Sequence, residues 1–302
     1  MNLLQEVQIP YLGETLSLLT AIVWAFAVIL FKKSGETVHP IALNSFKNLL
    51  AVVLFIPTLY IFGGTYLGKA PVNDILLLLL SGALGIGIAD TLFFKCLNKL
   101  GAGMTAIIDC FYSPFIIVLS IIFLGESLTA IQVFGVVLII SAVLTATHPK
   151  GRGDINRNDL LWGIIWGILS IASNAIGLVM IKPILEYSPL LWAVEVRLIG
   201  GVIILMLVLL FHPLRRKIIL SLYSSKSWRY TISSSFFGTY LAMLLWLAGM
   251  KFTQASIAAA LNQTSNIFIF IFAAFILKEK INLQRTIAII VAVIGVFIVT
   301  FA

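Results

Sequence analysis

Five ionisable side chains stand inside long apolar runs of this chain: Lys47, Asp90, Asp109, Glu195 and Arg197. A charge near the middle of a bilayer costs at least about 2.5–3.5 kcal/mol even on the gentler insertion scales. Each must therefore face a protein interior or a wet cavity, or lie close enough to the membrane surface to reach it. Buried acids and bases of this kind can hold a polar ligand, carry a proton, or pair with one another. For Asp90 the plain alternative to a site is an ion pair with Lys47 or Lys95.

Asp109 has further company. It belongs to "AIIDCFYSPF", where Pro114 follows five residues later. Proline cannot donate to the carbonyl four residues back, that of Cys110, so the helix opens one residue after the acid. Tyr112 and Ser113 add hydroxyls. An opened carbonyl beside a carboxylate suits the broken helices that build transport sites; a packing kink is the other reading. Under a shift of 153 residues, Asn262 falls on Asp109, Gln263 on Cys110 and Asn266 on Ser113. Amides both donate and accept, so "LNQTSNIF" keeps polarity at this depth without charge, either as site or as interhelical glue. Glu195 and Arg197, two residues apart, point to different faces of one helix. Asn48 and Asn174 complete the buried polar set. Trp24 stands where it can line a cavity, although membrane aromatics also serve as belts and packing. His39, His148 and His212 fall in loops or at helix ends, poorly placed for a proton relay.

The elements that must position these groups follow from composition. The 302 residues are 61% hydrophobic and 11% charged, with a mean hydropathy of +1.10. A soluble protein carries roughly 25% charged residues; here lipid must be the solvent. Ten apolar segments are expected at 13–31, 40–62, 73–94, 102–124, 128–147, 160–181, 190–211, 230–250, 254–277 and 283–301, each near the ~20 residues that span a bilayer. The fold class is an all-α integral membrane protein. Residues 1–147 form a first repeat, 148–159 a polar linker, and 160–302 a second repeat. The 153 shift also brings Glu126 onto Glu279, while a shift of 150 pairs Lys32 with Lys182, Glu36 with Glu186 and Lys47 with Arg197. Five helices per half is odd, so the second half enters the membrane inverted, an arrangement that places a working site between the halves.

The net charge of +8 resides in short loops, as membrane orientation requires, and no basic stripe interleaved with aromatics suggests nucleic acid. Fifteen Lys and Arg follow helices 1, 3, 5, 7 and 9 and three lie on the other side, with Lys47 and Arg197 set aside within helices. That bias places both termini outside the cytoplasm. Cys96 and Cys110 sit in or beside apolar segments and predict neither a disulfide nor a metal site; the N-terminus lacks the basic region of a cleaved signal peptide. No phosphate-binding loop, metal cluster or other cofactor site is expected. Two membrane aspartates raise the idea of an intramembrane aspartyl protease, but "GIGIAD" and "IIDCFY" miss the spacing and order of its motifs. A channel or receptor with a polar interior is the remaining alternative to a carrier.

"VWAFAVILFKK", the proline of "YSPF", and "FLGESLTAIQVFG" resemble the EamA-type family of the drug/metabolite transporter superfamily. The resemblance covers nearly the whole chain, with Ile267 and Lys278 standing where the second half would repeat Pro114 and Gly125. It implies secondary transport, often export, of a small polar metabolite across a bacterial-type inner membrane. Relatives are drawn with both termini inside, against the charge count followed here. Three buried acids (Asp90, Asp109, Glu195) beside three bases (Lys47, Lys95, Arg197) favour a zwitterion such as an amino acid. Proton coupling or exchange, and a monomer or homodimer, both fit.

Overall fold

The computed structural model describes residues 11–62, 70–112, 114–115, 118–119, 129–147, 156–252, 261–279 and 282–301. Glu126, Ser113, Lys280 and most of the polar linker lie outside the described residues, as do the side chains of Lys182 and Glu186. Among the described residues the regular structure is helical throughout. In hydrocarbon every backbone donor and acceptor must be satisfied within the segment, so long apolar runs have no other solution.

The first half contains α1 (Leu12–Gly35), α2 (Pro40–Phe62), α3 (Val72–Leu100), α4 beginning with Ala102–Asp109, and α5 (Ala130–Thr147). The second contains α6 (Arg157–Tyr187), α7 (Leu190–Phe211), α8 starting at Trp228 and continuing through Ala242–Phe252, α9 (Ser265–Phe275) and α10 (Leu283–Phe301). Six of these are long and apolar enough to cross a membrane on their own measure. α6 starts at Arg157, three residues ahead of the expected 160, because the Asn156 side chain accepts the backbone N–H of Asn158 at 3.2 Å and caps the helix inside the expected linker. α6 also runs past the expected end at 181, through Pro183 to Tyr187. A short helix, Arg215–Tyr223, lies in the connection between α7 and α8 where the sequence suggested only a loop.

Two interruptions break the regular helices. α3 carries a π turn at Ala83–Ile88 and α8 another at Phe236–Leu241. They are 153 residues apart, the same shift that aligns the two halves. A π turn leaves the regular ladder locally mispaired, and such turns cluster at functional sites. Side chains from neighbouring helices take up the carbonyls of the first one. Asn44 Nδ2 donates to the carbonyls of Ile86 and Gly87 at 2.9 and 3.0 Å, and Ser173 Oγ to that of Leu84 at 2.9 Å. Thr91 Oγ1 adds a second bond to Gly87 at 2.7 Å.

The helices pack in pairs that the repeat exchanges. α1 lies against α8 and α9, as α6 lies against α3 and α4; α2 meets α7, α4 meets α9, and α5 runs along α10. The closest approach is between α3 and α7, where a Cβ on Gly200 would sit 2.2 Å from the carbonyl oxygen of Leu79 and one on Gly82 1.9 Å from that of Arg197. Only glycine fits there, as small residues must where membrane helices touch backbone to backbone. One face of the bundle collects the basic ends. Lys32 Nζ donates to the carbonyl of Asn98 at 3.0 Å, Lys99 pairs with Asp159, and the Ser34 and Thr231 hydroxyls bond at 2.6 Å.

Candidate functional site

Lys47 of α2 and Asp90 of α3 form an ion pair at 2.6 Å, with side chains 4% and 20% exposed. Lys47 Nζ also reaches Asn48 Oδ1 at 3.4 Å and lies over the Phe94 ring at 5.8 Å. Asn48 in turn donates to Asn44, the residue that holds the π turn. Lys95, the other base considered for Asp90, instead lies 5.2 Å above the ring of Trp166. The first of the two membrane aspartates is thus joined to a base on the neighbouring helix, with its facing set by a contact 43 residues away in sequence.

Asp109 ends the regular part of α4. There the ladder tightens, with Cys110 N bonding Ile107 O and Phe111 N bonding Ile108 O at 3.3 and 3.0 Å. The break therefore begins at Cys110–Phe111, ahead of the buried Pro114. Asp109 lines a small cavity of about 10 Å³, roughly one water's room, together with Trp24 and Val28 of α1, Phe93 of α3, Thr105 of α4 and Ile269 of α9. Asn266, within electrostatic reach of Asp109, donates to Gln263 Oε1 at 2.8 Å and to Cys110 Sγ at 3.6 Å. The side-chain oxygens of Asn262 and Asn266 are buried without a partner. The cavity wall offers a carboxylate, a hydroxyl and an indole ring, a set suited to a hydrogen-bond-donating cation.

Arg197 lies against the π turn of α3. A Cβ on Gly85 would lie 3.3 Å from Nη2 of Arg197 and 3.8 Å from Oδ1 of Asn174. Tyr112 is within electrostatic reach of both Asp109 and Arg197. Glu195, two residues earlier and so roughly 200° around the helix, is 8% exposed with Oε2 unpartnered. It does not join this cluster. Of the sequence candidates, then, Asp109, Asn266, Trp24 and Tyr112 gather about the α4 break, Lys47 and Asp90 pair beside the π turn, Arg197 packs against that turn, and the Asn262 side-chain oxygen is buried four residues before Asn266.

Two features escaped the sequence reading. Ser170 and Ser173, one helical turn apart on α6, donate to the carbonyls of Ala89 and Leu84; small hydroxyls three apart on an apolar helix are the available signal. Glu279, read only as a repeat mark, accepts the backbone N–H groups of Ala102 and Gly103 at 2.7 and 3.0 Å. It caps the start of α4 from the other half of the chain, where a carboxylate is favoured by the helix dipole. Gly101, with φ of 82°, makes the turn that presents those two N–H groups, and a Cβ on it would lie 2.7 Å from Glu279 Oε1.

A bundle of ten membrane helices in two inverted halves, with buried charges where the halves meet, is the build of a multi-pass membrane transporter. The family's sequence profile matches this chain twice, over residues 11–147 and 161–301. The chain belongs to the EamA-like transporter family, within the drug/metabolite transporter superfamily. Curated relatives include an uncharacterized transporter of Archaeoglobus fulgidus, 23% identical over 94% of this chain and 96% of that protein. Another, from Methanothermobacter thermautotrophicus, is 28% identical over 75% of this chain and 64% of that protein. A solved crystal structure shares the fold with a TM-score of 0.67 at 15% identity, covering 94% of this chain and 95% of the other.

Proposed function

We propose that this protein is a secondary active carrier that exports a small polar metabolite by alternating access, with a zwitterion such as an amino acid as the favoured class. The observation that carries the reading is the α4 break, where Asp109 faces a cavity walled by helices of both halves. An ammonium group placed there would meet the Asp109 carboxylate, the Thr105 hydroxyl and the Trp24 ring. Asp109 serves either as the substrate contact or as the carrier of a coupling proton, and the bend in α4 lets its surroundings open and close. The membrane is a bacterial-type inner membrane. The basic face of the bundle, by the positive-inside rule, lies in the cytoplasm and leaves both termini outside; a C-terminal reporter that fluoresces only in the cytoplasm would stay dark.

The test is uptake into proteoliposomes loaded with purified protein, screened against labelled amino acids, sugars and cationic dyes. Amino acids should move, and Asp109→Asn should abolish transport or its pH dependence while the purified protein stays folded. Asparagine already stands at the equivalent Asn262, so the variant should insert normally. Dyes moving while amino acids do not would refute the substrate class. Full, pH-responsive transport by Asp109→Asn would reduce the acid to a packing role.

A further inference from the structure

Lys47 and Arg197 occupy equivalent positions in the two halves, and both are buried, at 3% and 4% exposure. Their partners differ. Lys47 has the carboxylate of Asp90 at 2.6 Å. In the second half the position equivalent to Asp90 is Met243, so the repeat supplies no acid. Among the described residues Arg197 makes no hydrogen bond and no ion pair, and its Nε is buried without a partner. The groups within electrostatic reach are the Tyr112 phenol and Asp90, the latter already engaged by Lys47. Arg197 is thus left buried without a hydrogen-bonding partner of its own.

A buried guanidinium without a counter-ion is costly, and removing it in favour of an apolar side chain would relieve that cost. Its retention points to a partner that is not part of the chain. The planar fork of arginine matches a carboxylate through two parallel hydrogen bonds. With Asp90 already within electrostatic reach, a monoanion buries less negative charge than a phosphate monoester would. Gly85, without a Cβ, lets the guanidinium pack against the π turn, since a Cβ there would lie 3.3 Å from Nη2.

From these observations we infer that Arg197 is the seat of a substrate carboxylate, with the ammonium end at Asp109. This rests on the transport reading for its setting but is tested separately. Purified protein is titrated, by thermal stabilisation and intrinsic fluorescence, with the twenty protein amino acids and with acetate, pyruvate and benzoate. Each binder is then measured again as its amide, which lacks the negative charge. Charge-assisted hydrogen bonds of this kind predict an amide weaker by about 10- to 100-fold. Arg197→Lys should lose the same factor toward the acid and nothing toward the amide, because it keeps the charge and loses the fork. Arg197→Met without ligand should melt at or above the wild-type temperature. Amides binding within threefold of their acids, no carboxylate binding at all, or Arg197→Met melting well below wild type would each overturn the assignment. Carboxylate binding through Arg197 without any transport would leave this inference standing and remove the carrier reading; transport indifferent to the carboxylate would do the reverse.

Discussion

Separating the Lys47–Asp90 pair should cost more than deleting it. At 2.6 Å and an effective dielectric of about 20, the gross attraction is roughly 6 kcal/mol, set against the desolvation of both groups. Asp90→Asn leaves the ammonium of Lys47, 4% exposed on its side chain, with Asn48 Oδ1 at 3.4 Å and a phenyl face. An orphaned buried charge costs about 3–5 kcal/mol. Lys47→Met leaves Asp90, which is one-fifth exposed and can draw in water, so about 1–2 kcal/mol is expected by the same argument. The double variant removes both charges and should recover most of the loss, a coupling of about 3–5 kcal/mol. At roughly 2 °C per kcal/mol for a chain of this size, Asp90→Asn should melt about 6–10 °C lower in detergent and the double variant within about 2–4 °C of wild type. Thermal unfolding by tryptophan fluorescence reads all four proteins. Additive single effects, with the double variant worst of all, would refute the reasoning. A stable double variant that no longer transports would move Asp90 from the frame of the site into the site itself.

Glu279→Ala should destabilise the protein by about 1–2 kcal/mol through the lost cap on α4, and Glu279→Gln by less because one acceptor remains; denaturation midpoints in detergent decide it. Gly200→Ala must push α3 away from α7 and should cost about 1–3 kcal/mol, read as a lowered melting temperature with Gly201→Ala as a comparison. Pro114→Ala restores a helical donor within α4, so the protein should melt no lower than wild type while transport falls less than in Asp109→Asn. His39 lies in the loop after α1, where burial first, then the cations Lys95 and His212, hold its pKa below 6.5; its Nδ1 accepts the N–H of Ile41 at 3.3 Å. The unfolded chain therefore takes up this proton first, so stability present above pH 6.5 should fall as pH drops through that value, and His39→Gln should flatten the melting curve against pH.

The ten-helix plan and the repeat were legible because bilayer thickness fixes segment length and because matched charges, such as Lys47 with Arg197, survive in otherwise featureless apolar runs. The partners of the charges were not. Asp90 and Asp109 look alike in sequence, each an acid within an apolar run, yet one faces Lys47 across 43 residues and the other faces a cavity. Depth can be counted from a turn; facing depends on how α2, α3 and α9 rotate against one another. The π turns gave no signal either, since "ALGIGI" and "FFGTYL" share only the glycines at 85 and 238. Glu279 was visible as a repeated residue, but its targets lie 176 and 177 residues away at the start of α4. Contacts of that range follow from the folded bundle and leave no local pattern.

The matched π turns also bear on ancestry. A π turn arises when one residue is inserted into a regular helix, an uncommon event. Two unrelated insertions landing at the same register, Ala83–Ile88 and Phe236–Leu241, make a poor explanation. One insertion copied with its helix accounts for both, so the insertion is older than the duplication that joined the halves. The forebear was then a five-helix chain already carrying this turn, and to assemble the same bundle its copies had to enter the membrane in both directions. Fusion fixed one direction for each half and freed their sequences to diverge. Met243 opposite Asp90, and Asn262 opposite Asp109, record that divergence: at both positions one half carries an acid and the other an uncharged side chain.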